Sequence, residues 1–291
     1  MPERPLSSNA AAPAVEILAA GDEVLNGDVL DTNTHELCVL VTGLGGQVSR
    51  TTTVRDDGET IAHEIRAALA RRPALLFTVG GRGPTDDDRT LEGVALGTGR
   101  PLRLHAGAER MVAARYAEFH ARGFVPFAEM NEARRKMARL PEGSVPADNP
   151  IGGAPGVVLE IDGTTVISLP GVPGELRVIV RDSLHELFAR VFGAAHYEER
   201  ALVVDLQDES AIAEVLRAAA SAHPAVYVKS RAKVIGSTPA IRITLSGRGP
   251  DAATVGSLLE EAAADVAHGV TAAGFDVATE TAAGDDAPVA H

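Results

Sequence analysis

Residues 73–90, PALLFTVGGRGPTDDDRT, set a short apolar run against a glycine turn and then three consecutive carboxylates, Asp86, Asp87 and Asp88. The run Leu75–Val79 is apolar at nearly every position, the pattern of a strand buried on both faces. Glycines directly after it let the backbone turn tightly and present N–H groups to a ligand, which suits phosphate at a helix N-terminus. The stretch is neither a Walker motif, which ends Gly-Lys-Ser/Thr, nor GxGxxG. Thr85 is placed to cap a helix beginning near Asp88.

Upstream, AVEILAAG from Ala14 is a second buried-strand run, followed by the loop GDEVLNGDVLDTN, residues 21–33. Asn33 is a candidate N-cap for the next helix and Gly43 a candidate stop. GQVSRTTTV reads as a β-branched strand and DDGETIAHEIRAALARR as an amphipathic helix. Strands and helices alternating at this length predict a doubly wound, mainly parallel α/β sheet, whose ligands sit beyond the strand carboxyl ends. Both acidic loops follow such strands, so they are expected to share one cleft.

Downstream, residues 105–140 are helical in pattern and rich in arginine, and GVVLEIDGTTVISL predicts a hairpin turning at Asp162-Gly163. The doubly wound domain is expected over 14–195. The order then restarts as strand 201–206, helix 210–222, strand 225–229, strand 240–246 and helix 251–268, a small α+β module of βαββα order over 198–275. Residues 1–13 and 276–291 are expected to be flexible tails.

The chain has 291 residues, 45% of them hydrophobic, enough for one large or two ordinary domains. Its formal charge of -13 disfavours unassisted binding to nucleic acid or anionic membrane. The local basic run Lys229, Arg231, Lys233 lacks a GXXG clamp, and 3% aromatic residues leave little for base stacking. One cysteine, Cys38, forms no intramolecular disulfide and sits among apolar neighbours, as an inert thiol does. MPERPLSSNAAAP lacks the apolar core of a secretory signal and no stretch is apolar enough to span a bilayer, so a cytoplasmic protein is expected. Nine histidines show no metal-ligand pairing, and no nucleophile elbow supports acyl transfer.

Three adjacent aspartates have two readings. Capping a helix and complementing its dipole stabilises by about 0.3–1 kcal/mol per exposed carboxylate. Alternatively, a divalent cation relieves their repulsion and bridges them to phosphate oxygens. Spacing alone leaves both open.

GDEVLNGDVLDTN, GGRGPTDDDRT, NPIGGAPG and LPGVPGEL, in this order, resemble the N-terminal domain of the CinA-type competence/damage-inducible proteins, which share the molybdopterin-binding fold of MogA and MoaB. The likeness covers about residues 14–193. EARRKMARLPEGS, residues 132–144, is closest to the free-standing branch, without the C-terminal amidohydrolase domain, so deamidation of nicotinamide mononucleotide is not expected.

The resemblance implies a divalent-metal pyrophosphatase, with Mg²⁺ the expected ion, that splits ADP-ribose into AMP and ribose 5-phosphate. The alternative it carries is a protein that binds molybdopterin or a nucleotide without turnover; a regulatory interaction protein is a third reading. Asp87 and Asp88 match the paired acids, as catalytic and metal-holding residues, and Asp88 falls on the essential acid of the molybdopterin adenylyltransferases. Gly80, Gly81, Gly83, Pro84 and Thr85 match the phosphate loop. Gly21, Asp22, Glu23, Gly27, Asp31 and Asn33 match the first family loop, and Gly153, Ala154, Pro155 and Gly156 the third. Pro170, Gly171, Pro173 and Glu175 match the fourth. The sequence departs at Arg82, where leucine is usual, and at Gly153, where threonine is common; Arg82 is expected either to reach a phosphate or to point into solvent. The implied partner is a phosphorylated small molecule, and a homo-oligomer is compatible with the sequence.

Overall fold

The computed structural model describes residues 12–193, 196–235 and 238–280, with the side chains of 233–239 outside the description. The chain divides into two compact units, one ending at Gly193 and the other starting at Ala194.

The first unit opens with β1 (Ala14–Ala20), the short α1 (Asp22–Leu25), α2 (Thr32–Gly43), β2 (Gln47–Val54), α3 (Gly58–Arg71) and β3 (Leu75–Val79). It continues with α4 (Thr90–Thr98), β4 (Leu102–Leu104), α5 (Ala106–Ala121), α6 (Glu132–Lys136), β5 (Arg139–Pro141) and β6 (Val145–Ala147). The hairpin β7 (Gly156–Ile161) and β8 (Thr164–Leu169) then leads to α7 (Pro173–Val178), a π-turn and α8 (His185–Phe192).

The sheet order is β2-β1-β3-β8-β7-β6. β1, β2, β3 and β8 run parallel, whereas β7 and β6 are antiparallel additions at one edge. The doubly wound, mainly parallel reading therefore holds. Every residue of β3 and β8 is buried, because helices cover both faces and no solvent side remains for polar alternation. Ile17, Leu75, Phe77 and Ile167 are each at most 1% exposed, and full burial stabilises by about 1.5–3 kcal/mol per such side chain. Glu16 is the exception on β1: it is buried, and Arg71 of α3 grips its carboxylate with two bonds of 2.6 and 2.7 Å. The hairpin turns where expected, with Asp162 and Gly163 both at positive φ, 49° and 84°.

Three local expectations change. Asp31, not Asn33, caps α2, because its carboxylate accepts from Thr34 N and the Thr34 hydroxyl. The helix after the aspartates starts at Thr90 without a side-chain cap. Thr85 closes a turn with Asp88 instead, Asp88 N donating to Thr85 O at 3.2 Å.

The second unit is β9 (His196–Val204), a 3₁₀ turn (Glu209–Ile212), α9 (Ala213–Ala222), β10 (Val226–Ile235), β11 (Thr238–Gly249), α10 (Ala252–Ala272) and β12 (Val277–Glu280). Its antiparallel sheet has the order β10-β11-β9-β12. The βαββα order is present and gains one strand. Val277–Glu280, expected in a flexible tail, pair with β9 from Val204 to Ala201. Composition alone misses this, since the partner strand supplies the missing hydrogen bonds. β9 starts at His196, so the second unit begins earlier than residue 198. Expectations for 1–11 and 281–291 lie outside the described residues, as does the side chain of Lys233.

Candidate active site

β1, β2, β3 and β8 all end at one edge of the sheet, and β7, running the other way, begins there. That topology gathers the four quoted loops, with β1 and β3 adjacent where the winding reverses.

Gly80 is the joint between them. Its φ is +94°, and its N–H donates to Leu169 O at 3.2 Å. A Cβ there would stand 2.1 Å from Ala20 O, the last residue of β1, so only glycine fits. Gly171 approaches within van der Waals range, since a Cβ on it would meet Gly80 Cα at 3.3 Å. Asn33 donates through Nδ2 to Gly171 O at 2.7 Å, tying the first loop to the fourth.

The third loop is organised by Asn149, part of the quoted NPIGGAPG but not among the matched residues. Its Nδ2 donates to Ala154 O at 2.8 Å and to Glu175 Oε2 at 2.7 Å, and its Oδ1 accepts from Ile151 N and Gly152 N. Glu175 thereby joins the fourth loop to the third; burial pushes its carboxyl up, opposed by the Asn149 bond. Pro173 occupies the first turn of α7, where its missing N–H costs nothing. Gly153 faces the ring of Tyr116.

Asp88 Oδ2 accepts from Thr85 N at 2.9 Å and from the Thr85 hydroxyl at 2.6 Å. The folded-back carboxylate sits over Gly83, whose Cβ would meet it at 2.6 Å. Asp88 is therefore partly a turn lock, and only Oδ1 is left outside those bonds. Asp87 is exposed, its carboxyl held below the usual range by the Thr85 hydroxyl, its own N–H and the Lys136 ammonium.

A carboxylate missed in the sequence completes the acidic side. Asp56 follows β2 and exchanges hydrogen bonds with Asp22: Asp22 N to Asp56 Oδ2 at 3.0 Å, and Asp56 N to Asp22 Oδ1 at 3.3 Å. Burial raises its carboxyl; the Asp22 N–H opposes that, while Glu23, Asp22 and Asp87 add to it. Its Oδ1 is buried without a partner among the described residues. The signal was the pair Asp56-Asp57 at a strand end: Asp57 alone caps α3, accepting from Thr60 N at 2.8 Å, which leaves Asp56 without a helix duty. Of the remaining first-loop matches, Gly21 pairs with Val54 O at 3.1 Å and Gly27 supplies a turn at φ +80°.

Arg82 corrects the solvent expectation. It is 4% exposed and donates through Nη2 to Pro155 O, linking the second loop to the third. Burial lowers its guanidinium pKa to about 10, with Asp88 opposing. On that side of the glycine loop lies a cleft of about 330 Å³ whose wall includes Arg82, Asp88, Lys136 and Arg139. Lys136 donates to Thr85 O.

Four loops converging on the carboxyl edge of a doubly wound sheet, beside its switch point, define an α/β domain built to hold a small ligand. The chain belongs to the family described as probable molybdopterin binding domain, whose model matches residues 16–190. It is CinA-like. A crystal structure of CinA from Thermoplasma acidophilum, its function given as unknown, is 32% identical with a TM-score of 0.54, covering 60% of this chain and 98% of that one. A protein of Aeropyrum pernix is 39% identical over 255 residues, 87% of this chain and 89% of its own length. One from Pyrococcus horikoshii is 38% identical over 201 residues, 69% and 77% of the two chains. No helix among the described residues is long and apolar enough to cross a membrane.

Proposed function

We propose that the domain is a divalent-metal-dependent nucleotide pyrophosphatase acting on ADP-ribose. The observation that carries this reading is the acidic group Asp22, Glu23, Asp56 and Asp87 at the glycine loop, with Asp56 held up in pKa by burial and by its neighbours. Among the described residues no three His, Cys, Asp or Glu side chains form a ready metal cage. Mg²⁺ does not require one, because it is usually held by one or two carboxylates together with waters and substrate phosphate.

The residues present fit such an ion. The Asp56 Oδ1 atom is a desolvated hard oxygen with no protein donor among the described residues. Asp56 and Asp87 would hold the metal, with Asp22 positioning Asp56 through the reciprocal bonds, and Asp88 reaching it through Oδ1. When bound, Mg²⁺ would neutralise charge on the departing phosphate and lower the pKa of a water. The backbone N–H groups of Gly81 and Gly83 are presented to diphosphate oxygens in this reading. Water adds to one phosphorus, the P–O–P bridge breaks, and AMP and ribose 5-phosphate leave.

Incubation of the pure protein with ADP-ribose and Mg²⁺, followed by chromatography, tests it: AMP is expected, and its absence across several divalent metals rejects hydrolysis. The family match supports a second reading, a binder of molybdopterin or a nucleotide without turnover. In that case AMP or molybdopterin raises the melting temperature while ADP-ribose stays intact.

A further inference from the structure

We infer that the cleft between the end of α5 and the third loop is a subsite for a planar aromatic heterocycle, the base of a nucleotide or a pterin. This rests on the reading of the domain as a binder of such a ligand, and it depends on neither metal nor turnover.

The aromatic side chains are the first observation. The chain has seven Phe, three Tyr and no Trp, and Tyr116, Phe119, Phe124 and Phe127 cluster within residues 116–127. Phe77, Phe188 and Phe192 are buried in the core, whereas Phe124 is 65% exposed. The exposed ring is nevertheless held. Phe124 N donates to Phe119 O at 2.8 Å, just after Gly123 at φ +74°. The Arg122 guanidinium lies 4.5 Å from the Phe124 ring centroid. Phe119 packs against Phe124 at 6.4 Å between centroids and meets Tyr116 edge-on at 5.7 Å. Tyr116 is pinned in turn by Arg134, 6% exposed, whose guanidinium stands 3.9 Å from the Tyr116 centroid and 4.4 Å from that of Phe127. A ring fixed beforehand loses little rotamer freedom when a ligand ring stacks on it.

The cleft beside it is the second observation. Its volume is about 460 Å³, and its wall is Phe119, Arg122, Phe124, Val125, Pro150 and Ile151. That volume lies within the roughly 300–1,000 Å³ of small-molecule sites, while the wall falls far short of the roughly 20–30 residues a side of a stable protein interface. The occupant it fits is therefore a small molecule. Arg122 is the one charged residue on the wall, and it is paired with Glu118 at 3.3 Å, so the chemistry favours an uncharged, flat, polarisable group over an anion. Pro150 and Ile151 belong to the third loop. Further along that loop Gly153 faces the Tyr116 ring, and Pro155 O accepts from Arg82 of the glycine loop. One loop thus borders both the ring cleft and the glycine loop, which gives a phosphorylated ligand a place for its ring as well as for its phosphate.

Titration of the whole protein, carrying methyl-labelled Ile and Val, with adenosine and separately with neopterin tests the subsite by NMR. Neither probe has a phosphate. A saturable ring-current shift of the Ile151 methyl is expected with at least one of them, and the tighter of the two assigns the ring as base or pterin. Phe124→Leu keeps an apolar side chain and loses the ring; it is expected to fold as the wild type does and to weaken binding at least about fivefold. No saturable shift with either probe, an equal shift with ribose, which has no aromatic ring, or a loss below fivefold in Phe124→Leu overturns the inference. Should Phe124→Leu fail to fold, Ile151→Ala, read at the Val125 methyls, decides by the same threshold. Because the probes carry no phosphate and no turnover is read, failure of ADP-ribose hydrolysis and failure of ring binding remain separate results.

Discussion

Asp22 and Asp56 each give a backbone N–H to the other's carboxylate, at 3.0 and 3.3 Å, so the loop after β1 and the loop after β2 are locked together through two like charges. Such an arrangement is electrostatically unfavourable in the free protein. On the proposed function, a bound cation offsets that cost.

The first prediction follows from the sign of that cost. Asp56 has a native pKa above its ordinary value of 3.8, so the native state binds the proton more tightly than the unfolded chain. The resulting destabilisation is absent below pH 3.8, grows as pH rises through the raised native value, and stays constant above it. Asp56→Asn retains an acceptor for Asp22 N and removes the cost. It is expected to melt higher than the wild type at neutral pH with a chelator present, and equally below pH 3.8. Calorimetry at the two pH values checks this, and on the proposed function the same variant loses most AMP formation.

Asp88 separates a structural from a chemical duty. Asp88→Asn keeps an oxygen for Thr85 N and the Thr85 hydroxyl, so stability should stay within about 0.5 kcal/mol, whereas Asp88→Ala should lose about 1 kcal/mol. If the remaining oxygen serves catalysis, both variants lose turnover by about 100-fold or more. Urea unfolding beside an ADP-ribose assay distinguishes them: full activity of Asp88→Asn leaves only the turn.

Glycine at the loop junction is predicted to be graded in importance. Gly80→Ala forces a Cβ to 2.1 Å from Ala20 O at φ +94°, and should cost about 3 kcal/mol or more. Gly171→Ala meets Gly80 Cα at 3.3 Å and should cost about 1 kcal/mol. Equal losses in denaturant titrations would contradict the packing described.

Asn149→Ala should remove four hydrogen bonds at once, among them the amide donor to Glu175 Oε2. A loss of about 2–4 kcal/mol is expected, because buried groups are left unpaired. Hydrogen exchange should show the amides of Ile151 and Gly152 losing protection first. Protection unchanged at those amides would mean that the loop is held by something other than Asn149.

Local sequence carried the elements whose physics is local. β1, β3 and β8 announce themselves because burial on both faces leaves an unbroken apolar run. Asp162-Gly163 announces its turn because a two-residue hairpin needs two positive φ angles. Alternation of strands and helices implies a parallel sheet, and a parallel sheet places loops at one edge, so the convergence of the quoted motifs was legible from spacing. Asp56 was not, because Asp56 and Asp57 look alike until one of them turns to Thr60 and the other to Asp22, 34 residues earlier. Arg82 was not, because a loop arginine reads as solvent or ligand until the fold brings Pro155 O, 73 residues away, against it. β12 was not, because its order comes from β9 rather than from its own side chains. Periodicity and turn chemistry decide what a segment becomes; which carboxylate is stripped of water, and which arginine is buried against a backbone carbonyl, depends on partners that only the closed tertiary structure brings within reach.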